Sequence, residues 1–265
     1  DDIFARASTA ARSIAGGAIQ SKNLTQVGDT IYQGTFDTAD WSGDLLAIPV
    51  SVSSTNVVSI GNTFTWTAAT RLATLTSPAT SRNIIVGNTG AAANPVAADF
   101  TWSTIESDLQ THLNKLSPTG SADGLGEDRL NYLRGDKTKE GATFRVRSKL
   151  MGDVINSGVI YSGPPSQSIN DAGYATFYGT NKTRTPAVFV GSNDGMLHAF
   201  NGTTGDELFA YIPSWLGSKL SALTNPTYNN SHQSYVDGTP AVAEAVVGTD
   251  WKTVLVSGSG GGGRG

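Results

Sequence analysis

Arg184 to Pro213 reads RTPAVFVGSNDGMLHAFNGTTGDELFAYIP, and no other stretch restricts the chain as much. Val188, Val190, Leu197 and Ala199 alternate with Phe189, Met196, His198 and Phe200, the two-residue period of a pleated strand pair. Asn193-Asp194-Gly195 between the two runs supplies a residue that accepts positive φ. A second turn follows at Thr203-Thr204-Gly205-Asp206, and Glu207 to Ile212 resumes the strand pattern. Three short strands in order cannot bury both faces alone and suit stacking beside similar units. The segment therefore reads as one blade of a β-propeller, an architecture that suggests a binding platform before an enzyme.

Composition removes several alternatives. The chain has 265 residues, of which 38% are hydrophobic, enough for a sizeable core. Only 15% are charged and the formal net charge is −4, so there is no basic field for nucleic acid and no polybasic stripe for an anionic membrane. No run of apolar residues reaches the length of a membrane span. Absence of cysteine excludes disulfides and thiolate metal sites.

Related patterns recur along the chain. Gly43-Asp44-Leu45-Leu46-Ala47-Ile48 repeats the form of Gly195-Met196-Leu197-His198-Ala199-Phe200, each after a polar turn. Short strands ending in a small residue also recur at Ile84 to Gly87, Val188 to Gly191 and Val254 to Gly258. Their unequal spacing implies decorated blades with inserts. The clearest insert lies near residues 103–128, where Ile105, Leu109, His112, Leu113 and Leu116 give a helical pattern before a Gly, Ser and Pro-rich loop. A smaller helical turn is predicted over Trp215 to Leu223. Phe4, Ala7, Ala11, Ile14, Ala15 and Ala18 predict an opening helix with Asp1 and Asp2 at its amino end. The expected organisation is thus residues 1–30 as a helix and linker closing a preceding domain, and 31–265 as an incomplete, all-β propeller within a longer protein.

Several motifs invite chemistry. Gly258, Gly260 and Gly263 have the spacing of a phosphate-binding loop, but no helix pattern follows them, which favours a tight turn. Asp123, Glu127 and Asp128 sit in a glycine-containing loop and offer oxygen ligands for calcium, although their spacing departs from that of an EF-hand. Arg134-Gly135-Asp136 is the tripeptide that many integrin ligands present on exposed turns; after the apolar run Leu130 to Leu133 it also reads as a strand-to-turn transition with local hydrogen bonds. His112, His198 and His232 are dispersed, and no nucleophile elbow is present, so no catalytic residue is assigned. His198, in mid-hairpin, is expected to be packed or hydrogen-bonded. Trp41, Trp66, Trp102, Trp215 and Trp251 either line a sugar-binding surface or fill gaps between blades with each indole N–H partnered. The turn Asn193 to Gly195 and the Tyr228 to Asp237 segment are expected to shape surfaces.

Asn131-Tyr132-Leu133-Arg134-Gly135-Asp136, Arg145 to Ser157 (RVRSKLMGDVINS), Arg184 to Pro213, Tyr235-Val236-Asp237-Gly238-Thr239-Pro240 and Trp251 to Gly265 together resemble the propeller of the PilY/PilC family, the tip-associated adhesins of bacterial type IV pili. The resemblance is strong over Leu130 to Gly265. Upstream it rests on Phe36, Trp41-Ser42-Gly43-Asp44-Leu45, Arg71-Leu72 and Arg82-Asn83-Ile84.

This resemblance implies a non-enzymatic pilus tip component that supports assembly and adhesion to surfaces or host cells. Its implied partners are minor pilins and a host or abiotic surface ligand. Its implied location is the cell surface at the pilus tip, after export through the periplasm. The family also implies a von Willebrand factor A-like preceding domain and, for some members, regulation by calcium, with no cofactor assigned to this segment itself. GSNDGMLHAFNGTTGDELFAY also resembles the repeat of quinoprotein dehydrogenases, but Phe209 or Tyr211 stands where that repeat usually carries tryptophan, and vicinal cysteines are absent. A secreted carbohydrate-binding adhesive propeller unconnected with pili is the other alternative.

Overall fold

The computed structural model describes residues 14–19, 29–88 and 97–263. A first sheet carries β1 (Ile14–Ile19), β2 (Asp29–Asp37), β3 (Ser42–Val52) and β4 (Val58–Ile60) in that order, with β5 (Trp66–Thr67) pairing to β3. β2 and β3 form a long antiparallel hairpin from Asp29↔Val50 to Asp37↔Ser42, which puts Gly43 to Ile48 in a strand as its pattern predicts. Helix α1 (Ala68–Ala73) begins where Thr67 accepts the Thr70 N–H on its side-chain oxygen, and a short α2 (Pro78–Ser81) follows.

The second sheet is built on the blade read from sequence. β6 (Ile84–Gly87) and β7 (Ala97–Asp99) precede two helices, α3 (Ser107–Leu113) and α4 (Gly126–Arg134). β8 (Ile160–Ser162) is followed by helix α5 (Tyr174–Asn181), then by β9 (Ala187–Gly191), β10 (Leu197–Asn201) and β11 (Glu207–Ile212). β8 to β11 form a four-stranded antiparallel meander, and β6 adds to β11 in parallel, giving the order β7-β6-β11-β10-β9-β8. The turn before β10 places Gly195 at φ 94°, a conformation an L side chain resists. Ser214–Leu216, helix α6 (Gly217–Leu220) and Ser221–Thr224 supply the helical turns expected near Trp215 to Leu223. β12 (Ala241–Val247) and β13 (Asp250–Val256) form a separate hairpin. Among the described residues the three sheets do not close a ring, so the propeller is present in part.

Two hydrophobic clusters hold these layers. One joins Ile84, Val86, Phe100, Leu113, Leu130 and Ile212 under the helices. The other lies between the first two sheets, with Tyr32, Leu45, Ala47 and Trp66 against Val188, Val190 and Phe200. Trp66 fills this gap as expected for an inter-blade tryptophan, and its indole N–H donates to the Gly202 carbonyl at 3.2 Å.

Two sequence expectations are corrected. Ile14, Ala15 and Ala18 lie in β1, paired to β2, and not in a helix; Gly16 and Gly17 weaken a helix there, while backbone pairing needs no side chain. The rest of the predicted opening helix, including Phe4, Ala7 and Ala11, lies outside the described residues. Leu130 to Leu133 belong to α4, which ends at Gly135, and do not form a strand. Four residues, Leu-Asn-Tyr-Leu, are too few to carry a period that separates the two. The glycine run after β13 makes a tight 3₁₀ turn at Gly260–Gly262, as its composition suggests. A Cβ on Gly262 would lie 1.5 Å from the Tyr235 carbonyl oxygen, so backbone approach demands glycine there.

Candidate functional site

The turn between β9 and β10 brings several polar groups into the interior. Ser192, Asn193 and Gly195 are buried, so the turn packs inward and does not shape a surface as expected. Asn193 donates through Nδ2 to Asp153 at 2.6 Å and accepts the Tyr235 N–H at 2.8 Å on Oδ1. Asp153 also meets His232 Nε2 at 3.0 Å, and His232 stacks on Trp41 with ring centroids 3.8 Å apart. The Tyr228 to Asp237 segment is therefore joined to the hairpin turn through Asn193 and Asp153.

His198 stands inside a charge chain, between Asp194 and Glu207. It is fully buried, with Nδ1 2.9 Å from Glu207 Oε1 and Nε2 3.1 Å from Asp194 Oδ2. Arg82 closes the chain by donating from Nε and Nη2 to the two Glu207 oxygens at 2.7 and 2.8 Å. Burial opposes a charged imidazole, but the flanking Asp194 and Glu207 carboxylates outweigh it and raise His198 to about 9. Burial likewise opposes the Glu207 carboxylate, yet Arg82 and His198 hold its pKa well below the usual range. Arg82, His198, Glu207 and Asp194 thus form a charge-balanced buried unit. Both His198 ring nitrogens are occupied, which matches the packed, hydrogen-bonded role read from sequence.

Arg134, Gly135 and Asp136 sit at the end of α4. Arg134 is buried, and its guanidinium donates to the Phe100 and Arg82 carbonyls at 2.8 Å each and to the Ala79 carbonyl. Asp136 is half-buried and accepts the Thr138 N–H at 2.7 Å. The tripeptide therefore presents no exposed arginine. Gly135 and Asp136 instead form one wall of a groove of about 680 Å³ facing Leu72, Leu75 and Pro78.

The acidic loop is not assembled for a metal. Asp123 is paired with the Arg129 guanidinium, Asp128 lies 3.4 Å from Lys139, and Glu127 is exposed. Among the described residues no group of three His, Cys, Asp or Glu side chains is placed to hold a metal ion. Calcium, implied by family resemblance, does not fit Asp123, Glu127 and Asp128 as they stand.

Sequence reasoning gave no individual role to the arginines of RVRSK. Arg145 lies over the Tyr228 ring at 4.5 Å, and Arg147 lies over Tyr132 at 3.5 Å while pairing with Glu140 at 2.8 Å. Their two-residue spacing was the available signal, but the aromatic partners are distant in sequence.

The family model described as the PilY1 beta-propeller domain matches residues 151–265. Type IV pilus biogenesis factor PilY1 of Pseudomonas aeruginosa (strain PAK) is 38% identical over 245 residues, covering 88% of this chain and 20% of that protein. The chain belongs to the PilY1 family. A PilY1 homolog of Xylella fastidiosa (strain Temecula1 / ATCC 700964) is 33% identical over 263 residues, covering 95% of this chain and 19% of that protein. Similarity to PilY1 thus extends upstream of the matched domain, where the sequence motifs are sparse. The chain spans about a fifth of the length of the curated PilY1 relatives it matches. No solved structure matches it. Among the described residues no helix is long and apolar enough to cross a membrane.

Proposed function

We propose that this chain is the propeller region of a non-enzymatic type IV pilus tip component, which supports pilus assembly and adhesion to surfaces or host cells. The observation that carries the reading is the 38% identity to a pilus biogenesis factor across 88% of the chain. The architecture is compatible with it. Paired strands and buried ion pairs give a scaffold whose exposed connecting loops are free to carry recognition. The partners in this reading are minor pilins at the tip and a ligand on the colonised surface, reached after export through the periplasm.

The test is mass spectrometry of sheared, purified pili from the source cells. Peptides of this chain are expected at low stoichiometry relative to the main pilin, and their enrichment is expected to vanish in a pilus-assembly mutant. Recovery only in a soluble secreted fraction, independent of pili, would overturn the reading.

A further inference from the structure

We propose that the saucer between Trp102 and helix α4 is a binding subsite for a neutral pyranose ring, an inference that rests on the adhesive part of the reading above. Three of the five tryptophans have their indole N–H bonded to a backbone carbonyl: Trp41 to Asn229, Trp66 to Gly202 and Trp251 to Ala172. Trp102 has no such partner among the described residues and remains half-buried. An indole held by packing, with its N–H unspent, is suited to an amphipathic ligand.

The saucer holds about 350 Å³, at the lower end of the range of small-molecule sites. Trp102 packs its ring edge against Gly126, the first residue of α4, which fixes the ring beside the helix. The helix supplies a stripe to the same hollow: Glu127, Asn131 and Arg134 follow one another at spacings of four and three residues and line it. Arg134 spends its donors on three carbonyls. Glu127 and Asn131 have no side-chain hydrogen bond or ion pair among the described residues, leaving a carboxylate acceptor and an amide with both donor and acceptor atoms. Thr80, Thr101 and Ser103 also line it, with the Thr80 hydroxyl bonded to the Ser77 carbonyl and that of Thr101 to the Thr104 hydroxyl.

This is the chemistry a pyranose requires. Its apolar C–H face lies on an aromatic ring, while its hydroxyls bond to a carboxylate and an amide. A site built to bond hydroxyls discriminates strongly against ligands that lack them. Glu127 is the exposed charge of the saucer, so a sugar acid is disfavoured by like-charge repulsion. By contrast, the hollow around Trp215 is lined by Ile85, Leu197, Phe209, Tyr211 and Leu255, with no charged group.

The experiment is saturation-transfer NMR on the 265-residue chain with methyl β-D-glucoside, as in plant cell walls, methyl β-D-galactoside and N-acetylglucosamine, as in animal glycoconjugates, and glucuronate as the acidic control. Millimolar binding of at least one neutral sugar is expected, with the preferred probe identifying the source. Trp102→Ala and Asn131→Ala are each expected to weaken it tenfold or more. Glu127→Gln, an exposed and fold-neutral change, is expected to narrow the preference over glucuronate severalfold. No transfer from any neutral sugar to the folded chain overturns the proposal. So does binding unchanged by both Glu127→Gln and Asn131→Ala. The measurement needs no pilus, so its failure is separable from failure of the tip assignment, which sheared pili decide.

Discussion

His198 Nδ1 lies 2.9 Å from Glu207 Oε1, across the β10–β11 hairpin and out of contact with water. The pair is locked from both ends, by Asp194 on the imidazole and by Arg82 on the carboxylate. Removing one member strands the others as uncompensated buried charge. Glu207→Gln is therefore expected to destabilise the chain by ~3–5 kcal/mol. Thermal unfolding followed by circular dichroism checks this, and an unchanged midpoint would show the network to be energetically idle.

The same pair sets a pH dependence. Folding raises His198 from 6.5 to about 9, so its stabilisation is complete below about pH 6.5 and is lost as pH rises through about 9. Folding lowers Glu207 from 4.5, so its contribution is complete above about pH 4.5 and is lost only in stronger acid. Stability from this unit should be greatest between about pH 4.5 and 6.5 and should fall by about 3 kcal/mol toward pH 9–10. Urea unfolding across that range measures the slope. His198→Gln should flatten its alkaline limb, and a limb identical to that of the parent chain would assign the effect elsewhere.

Arg134 and Asp136 should separate in mutagenesis. Arg134→Ala leaves three carbonyls without their donor and is expected to cost ~3 kcal/mol or more, whereas Asp136→Ala loses one turn hydrogen bond worth ~1 kcal/mol. Melting temperatures of the two variants test this, and equal effects would contradict the buried placement of Arg134.

Gly195→Val should disrupt the β9–β10 turn. Its φ of 94° strains a β-branched residue, and a Cβ would lie 2.8 Å from Leu220 Cδ2. A loss of ~2 kcal/mol or more is expected from backbone strain and overpacking. A melting temperature equal to that of the parent chain would remove the positive-φ assignment.

Gly202 offers the inter-sheet counterpart. Its carbonyl accepts both the Tyr32 hydroxyl at 2.8 Å and the Trp66 indole N–H at 3.2 Å, tying the β10–β11 turn to the first sheet. Tyr32→Phe should cost ~1 kcal/mol because the tryptophan still serves the carbonyl, and combining it with Trp66→Phe should cost more than the two single losses together. A double-mutant cycle on unfolding free energies checks the coupling, which strict additivity would refute.

Local patterning was sufficient for the β9–β11 blade, the β3 repeat of its motif and the helical insert. Residue alternation, turn glycines and helical periodicity act over a few neighbours, and each is written in consecutive residues. Family resemblance was legible for the same reason, since its motifs are contiguous blocks. Long-range packing alone decided that Leu130 to Leu133 are helical, that Arg134 is spent on three carbonyls, and that Arg82, 125 residues from Glu207, completes the ion chain around His198. It also gathered Thr80, Trp102 and Asn131 around one hollow. Burial and charge pairing between distant residues depend on how sheets and helices stack, and no local period encodes that.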